Sequence, residues 1–311
     1  MTLLTRRGLA ATALASLAAP AVLRAQTPRL AIGYQKFGVL LVLKEHRTLE
    51  TALGLDVSWH QFASGPPLLE ALNAGAIDFG QTGDTPPIFA QAAGADLQYV
   101  AHQPAPGGNH GLLVPADSPI RTLADLRGKR VGLTKGSSAQ NVLIRMLAKA
   151  GLGYRDITPV YLQPPEATAA FRQGALDAWV IWDPFYAIAQ RDPGVRVVTD
   201  AVGIAPSNQF FLAATPFARA RPEILSGIIT QTRQVWDWVG THQEELVQLL
   251  SAQTKIPPDI QRVAAARQDY HTGFMDDAVI AQQQAIADTF HELRLIPSAI
   301  QVRDIVWRPQ A

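Results

Sequence analysis

Residues Ala76–Ala95 read AIDFGQTGDTPPIFAQAAGA. The apolar run Ala76–Phe79 has the length and composition of a buried strand. It breaks at a Gly-punctuated turn, Gly80-Gln81-Thr82-Gly83-Asp84, and a helix opens with Pro86-Pro87. Proline has no N–H to lose in the first turn of a helix, and Asp84 or Thr85 supplies the side-chain oxygen of an N-cap. Such a unit leaves backbone N–H groups pointing out of a helix N-terminus beside a hydroxyl, which makes it a seat for an anion.

Two further turns repeat the arrangement. In Gly132-Leu133-Thr134-Lys135-Gly136-Ser137-Ser138-Ala139 a strand ends, Gly136 permits the bend, and Ser137 or Ser138 caps a long helix. In Ile181-Trp182-Asp183-Pro184-Phe185, Asp183 caps and Pro184 takes the first helical position. Any one of these turns is more often plain helix capping. In an α/β lobe, however, turns after the C-terminal ends of strands face the ligand crevice. One such turn from a first lobe and two from a second can meet across a single cleft.

The 311 residues are 48% hydrophobic and 17% charged, a soluble globular composition long enough for two lobes. The N-terminus differs in kind. Arg6-Arg7 precede an Ala-rich apolar run from Leu9 to Leu23 that is too short to span a bilayer, and small residues follow at Ala19-Pro20-Ala21 and Ala25. Residues 1–25 read as a secretory signal peptide, cut after Ala25, with Ala21 second. Thr5-Arg6-Arg7-Gly8-Leu9 looks like a twin-arginine signal; an ordinary Sec signal with two basic residues is the other reading. Either way export is expected, most simply to a periplasm. Removing residues 1–25 takes away Arg6, Arg7 and Arg24 and no acid, which leaves 24 basic against 26 acidic residues, a net charge of −2. That balance gives no electrostatic case for nucleic acid or an anionic membrane. The chain has no cysteine, which excludes disulfides, thiolate metal sites and a lipid-anchored Cys.

Strands and helices alternate along most of the mature chain, the pattern of an α/β fold with mainly parallel sheets. Strands are expected at 30–34, 55–62 and 76–79, with helices over Val39–Leu53 and Leu68–Ala74. Gln103–His110 is too rich in Pro and Gly for an element interior and reads as a first crossing between lobes. A second series follows: strands at 130–133, 160–162, 178–182 and 195–198, and helices at 138–150 and 166–172. Gln209–Ala213 then returns the chain, and Ile224–Leu250 and Ala278–Leu295 have helical apolar spacing. The reading is two lobes, residues 26–110 with 209–311 and residues 111–208, around a ligand cleft.

The residues at the turns suggest which anion fits. A sulfonate stays ionised and only accepts hydrogen bonds, so its site needs donors: backbone N–H groups, hydroxyls and amides, here from Thr82, Ser137, Ser138 and Gln35. Helix N-termini contribute positive potential, so a fixed cation is optional. Asp84 and Asp183 are read as caps folded back onto helix N–H groups; the alternative is that one meets a cationic end of the ligand. Tyr34, Phe37, Trp182, Phe185, Phe210 and Phe211 fall near the turns or the return crossing, where an apolar pocket for a ligand tail would lie. Enzyme chemistry is thin. The seven histidines form no HxxxH or HExxH pair. Ser137 with His110 and Asp84 makes only a scattered triad without a G-x-S-x-G elbow. No Walker A loop or G-x-G-x-x-G is present, and no metal or cofactor is expected.

Ile32-Gly33-Tyr34-Gln35-Lys36, Gly80 through Ala95, Lys135-Gly136-Ser137-Ser138 and Trp179-Val180-Ile181-Trp182-Asp183-Pro184 strongly resemble the alkanesulfonate-binding proteins of bacterial ABC importers. Leu295-Ile296-Pro297 and Trp307 are similar to that family's C-terminus, so the resemblance covers essentially the whole mature chain. It implies a type II periplasmic binding protein, two lobes closing on a ligand, with Gln35, Thr82, Gly83, Asp84, Ser137, Ser138, Trp182 and Asp183 at cleft positions. It also implies a monomer that binds a small alkanesulfonate for use as a sulfur source and docks on an ABC permease with its ATPase subunits. Taurine-, nitrate- and pyrimidine-precursor-binding relatives share the fold and are the alternatives. Enzymes of the same fold that make the thiamine pyrimidine are disfavoured by the export signal and the absence of Cys. One departure is Phe37-Gly38-Val39-Leu40, bulkier and more apolar than the small-residue turn such a family leads one to expect.

Overall fold

Short apolar strands, each followed by a helix, need both faces of their sheet covered. The chain meets this need with two sheets. The computed structural model describes residues 28–309, and the signal peptide read at residues 1–25 lies outside them. Its strands are β1 (Arg29–Tyr34), β2 (Asp56–Gln61), β3 (Phe79–Thr82), β4 (Leu97–Ala105), β5 (His110–Pro115), β6 (Arg130–Leu133), β7 (Thr158–Tyr161), β8 (Ala178–Trp182), β9 (Val195–Asp200), β10 (Ser207–Ala214) and β11 (Gly273–Phe274). The first sheet has the order β11-β4-β10-β3-β1-β2 and the second β7-β6-β8-β5-β9.

Apart from the short β11, the two orders follow one plan. Three parallel βα strands (β2-β1-β3 and β7-β6-β8) are joined by a strand arriving from the other lobe, β10 or β5, and then by the strand that leaves, β4 or β9. The parallel strands end at the cleft. A strand arriving through the hinge begins there and runs away from it, so it pairs antiparallel on both sides. Among the described strands the sheets are therefore mixed: β1·β2, β1·β3, β6·β7 and β6·β8 pair parallel and the other five pairs antiparallel, where the alternating sequence had suggested mainly parallel sheets.

Strand β10 shows how the first lobe is filled. Phe210 and Leu212 point to one face, with the helices Gly65–Asn73, Thr85–Ala92 and Asp277–Glu292. Phe211 and Ala213 point to the other, with Val39–Glu45, Pro222–Thr241 and Gln243–Thr254. This period of two places the C-terminal helices on the first lobe, as their apolar spacing suggested. The second lobe has its own core around Trp179, Leu143 and Phe171.

Three boundaries differ from the sequence reading. The helix expected over Val39–Leu53 is two, broken where Arg47 takes a left-handed conformation (φ 49°). The long apolar pattern 224–250 breaks at His242, whose Nδ1 lies 2.9 Å from the Trp238 carbonyl that a continuing helix would need as acceptor for the His242 N–H. Strand β4 runs through Pro104, and β5 already begins at His110. Proline is accommodated because β11 covers β4 only at Ala101 and His102, so beyond them β4 lacks a second neighbour.

Phe210 is fully buried, edge-on to Tyr99 at 5.0 Å between ring centroids. Phe210→Ala is expected to cost about 3–5 kcal/mol, read as a lower urea midpoint at an unchanged slope.

Candidate functional site

The three turns do meet. The β3 turn enters the helix Thr85–Ala92 from the first lobe; the β6 and β8 turns enter Ser138–Lys149 and Phe185–Ala189 from the second. Between them lies a cavity of about 30 Å3, space for about two waters. Six of the eight expected cleft residues line it: Gln35, Gly83, Ser137, Ser138, Trp182 and Asp183.

The lobes are closed on this cavity. A Cβ built on Gly83 would stand 2.9 Å from the Ser138 Cβ, so only glycine lets the two turns approach this closely. Ser64 Oγ donates across the cleft to Gln163 Oε1 at 2.8 Å, and Asn141 Nδ2 to Asp84 Oδ2 at 2.7 Å.

The other two expected residues sit behind the wall. Thr82 is fully buried, and its hydroxyl donates to the Gly83 carbonyl at 3.0 Å. Asp84 is also fully buried and makes no side-chain cap. It accepts from Asn141 and from the Thr85 hydroxyl at 2.8 Å, while its carbonyl accepts from Gln283 Nε2 at 2.6 Å. Burial raises its pKa, opposed by the Thr85 and Asn141 hydrogen bonds. Asp183 does fold back, accepting from the Ala187 N–H at 2.9 Å. The helix there starts at Phe185, one residue after the expected Pro184. Among the aromatic candidates, Phe37 and Trp182 line the cavity. Tyr34, Phe210 and Phe211 belong to the core.

The residues missed by sequence reasoning come from the crossings. Asn109 and His110 stand where β5 starts; Ser207, Asn208 and Gln209 open β10; Gln268 follows the helix Pro258–Ala265. The signal for them was the polar run Ser207-Asn208-Gln209 next to an apolar strand, at the point where the chain re-enters the first lobe. Amides and hydroxyls dominate the wall, and among the described residues no Lys or Arg lines it. Gln209 Nε2 is 3.2 Å from Gln268 Oε1, while Gln209 Oε1 is buried without a partner. Amide orientations are interchangeable. Turning both amides over keeps their mutual bond and gives the unpartnered position an N–H.

His110 links Asn109 and Ser138. Its Nδ1 lies 2.9 Å from Asn109 Oδ1 and its Nε2 2.8 Å from Ser138 Oγ. Asn109 Oδ1 only accepts, so in this arrangement Nδ1 carries the proton and the Ser138 hydroxyl donates to Nε2. The connectivity resembles a hydrolytic triad, but with Ser138 and Asn109 in place of the Ser137 and Asp84 considered from sequence. Burial pushes the His110 pKa down to about 4, too low for an effective general base near neutrality. The Ser137 hydroxyl is also engaged, donating to the Thr134 carbonyl at 2.7 Å. Both serine hydroxyls at this helix N-terminus are thus already committed as donors within the protein.

Asp183 is the one carboxylate on the wall. Both its oxygens lie 3.2 Å from Arg267 Nη1. Burial still outweighs that ion pair and raises its pKa to about 6. Arg267 also donates to Gln190 and stacks over Tyr186 at 4.4 Å, so its charge is committed to the second lobe. Among the described residues, no group of three or more His, Asp or Glu is arranged to hold a metal ion, and no helix is long and apolar enough to cross a membrane.

Two mixed sheets of one plan, joined by crossing strands and closed on a polar cavity, define a solute-binding protein of the periplasmic-binding-protein fold. Residues 51–246 match the NMT1/THI5-like family. A protein of Escherichia coli (strain K12) named for binding aliphatic sulfonates is 42% identical over 283 residues, covering 90% of this chain and 89% of its own. The solved alkanesulfonate-binding protein SsuA of Xanthomonas axonopodis pv. citri, bound to MOPS, superimposes with a TM-score of 0.88 at 41% identity, over 91% of this chain and 100% of that one. The solved periplasmic aliphatic sulphonate binding protein SsuA of E. coli gives 0.83 at 40% identity, over 91% and 92% of the two chains. The chain belongs to the NMT1/THI5-like family and, within it, to the aliphatic sulfonate-binding proteins.

Gly83→Ala is expected to leave the lobes folded but hold them apart, weakening ligand binding at least tenfold, with calorimetry and solution scattering as readouts. The buried titratable groups give opposite pH signatures. The neutral His110 ring contributes stability fully above pH 6.5, and that contribution is lost as pH falls towards about 4. Asp183 favours its neutral form, so its contribution is present below 3.8 and lost as pH rises through about 6. Melting between pH 4 and 7 should therefore fall less steeply on acidification in His110→Gln and more steeply in Asp183→Asn.

Proposed function

We propose that this protein is the extracytoplasmic solute-binding subunit of an ABC importer, working in the periplasm as a monomer. It captures aliphatic sulfonates and delivers them to the membrane permease and its ATPase subunits for use as a sulfur source. One observation carries the reading: a closed interlobe cavity walled by neutral hydroxyls and amides, with helix N-termini aimed at it and its one carboxylate already paired. A sulfonate carries no proton at physiological pH and only accepts hydrogen bonds, so a wall of donors suits it. A group that must itself donate, or that needs a bidentate Arg, finds less here.

Binding involves no bond-making. The open cleft takes the head group onto the Ser138 helix terminus, and closure brings Gly83 against Ser138 and the crossing-strand amides around the ligand. Ligand favours closure only in so far as it binds the closed form more tightly. Taurine is the second reading, because Asp183 on the wall is the place for its ammonium; the Arg267 pair and the Ala187 N–H already occupy that carboxylate.

Calorimetry with ethane- to octanesulfonate, taurine, sulfate and nitrate tests the reading. Saturable binding of alkanesulfonates is expected. Binding of taurine alone would move the protein to the taurine branch, and binding of no sulfonate would end the proposal. Ser138→Ala is expected to weaken sulfonate binding roughly tenfold or more by releasing the His110 bond that fixes the turn.

A further inference from the structure

Strand β10 opens on a chain of hydrogen bonds behind the cavity wall. Asn208 lines the cavity. Its Nδ2 donates to Gln282 Oε1 at 2.8 Å, and Gln282 Nε2 donates to the Pro206 carbonyl, also at 2.8 Å. On its other side Asn208 Oδ1 lies 2.9 Å from His102 Nδ1. Strand register explains that contact. His102 on β4 stands opposite Phe210 on β10, so Asn208, two residues earlier, is its diagonal neighbour on the same face. We propose that His102 and Gln282 are positioning residues of the anion site, holding the Asn208 amide so that its second N–H donates to the ligand head group. The proposal rests on the sulfonate reading of the cavity.

One fixed point orients the whole chain. A backbone carbonyl only accepts, so the Gln282 atom facing Pro206 is Nε2 and the one facing Asn208 is Oε1. That oxygen also only accepts, so Asn208 turns Nδ2 toward it and Oδ1 toward His102. His102 therefore carries its proton on Nδ1. Each bond in such a chain polarises the next. The second Asn208 N–H has no protein partner among the described residues. An amide turned the other way would present its oxygen to the anion. Neutral His102 alone does not prevent that turn, because moving its proton to Nε2 leaves Nδ1 as an acceptor; a protonated ring has only donors and holds one orientation. Gln282 removes the ambiguity while the ring is neutral. His102 Nε2 faces β11 at Gly273, and the titratable groups around the ring are Asp276, His271 and Asp269. Burial lowers the His102 pKa, opposed by the Asn208 bond and the two carboxylates.

The test is calorimetric titration of the mature exported protein with ethanesulfonate and hexanesulfonate, which share a head group. Gln282→Met keeps the side-chain length and removes the amide; it should weaken both ligands about tenfold at about pH 7.5. Asn208→Ala should weaken them at least as much, and the double variant should bind no more weakly than Asn208→Ala, because Gln282 acts through Asn208. At about pH 4.5 a protonated His102 donates to Asn208 Oδ1 and restores the amide orientation, so Gln282→Met should regain about threefold or more relative to the wild type at the same pH. That reference cancels the titration of His110 and Asp183. Gln282→Leu takes the place of the methionine variant if melting shows that one to be unfolded. An unchanged affinity in a folded Gln282 variant, an equal loss at both pH values, or a further loss on top of Asn208→Ala overturns the positioning role and leaves the sulfonate reading intact. Failure of the wild type to bind either sulfonate overturns both.

Discussion

The meeting of Gly83 with Ser138 is the contact on which the rest of the cleft depends. It brings the start of the helix Thr85–Ala92 against the start of Ser138–Lys149, one from each lobe. Both ends carry the positive pole of a helix. Two like poles at contact distance repel, and the crossing bonds Ser64–Gln163 and Asn141–Asp84 only partly offset that. An anion placed between the poles turns the repulsion into attraction on both sides. In electrostatic terms an anion in the cleft favours the closed arrangement.

The absence of Lys and Arg from the cavity wall fits this picture. A free cation there would hold a sulfonate in the open lobe alone and so weaken the link between binding and closure. The nearby guanidinium, Arg267, is instead committed to Asp183, Gln190 and the Tyr186 ring. His110 is kept neutral by burial. Fixed N–H dipoles and amides are therefore the donors this wall presents, and such donors act more strongly where water is excluded. Neutral donors also keep their charge state across the physiological pH range.

Much of this was legible in the residues. The strand–turn–helix units were legible because glycine, proline and capping residues act locally, and six of the eight cleft residues that the family resemblance implied do reach the cavity. What escaped was set by distant pairing. Strand direction in β5 and β10 depends on which lobe the chain has just left, and no local pattern encodes that. For the same reason the crossing residues Asn109, His110 and Ser207–Gln209 carry no motif. The break at His242 was hidden because the apolar spacing continues across it while a side-chain nitrogen takes the needed position. Thr82 is one step of strand alternation away from the cavity: it faces the buried side while Gly83 lines the cavity.

Asp84 sits in the turn of the candidate site without lining its cavity. Its surroundings are donors: the Thr85 hydroxyl and the Asn141 amide on its carboxylate, and Gln283 on its carbonyl. An asparagine there would offer one acceptor oxygen and turn an NH2 toward one of those donors. A carboxyl with at least one ionised or acceptor oxygen on each side satisfies both. Through Gln283, which also reaches the Tyr99 hydroxyl at 3.0 Å, the same residue ties the turn to the C-terminal helix Asp277–Glu292. Asp84 therefore joins three elements: the head-group turn, the second-lobe helix that closes on it, and the helix that backs the first lobe. Its carboxylate bonds to Thr85 and Asn141 fix the turn where Gly83 meets the opposite lobe.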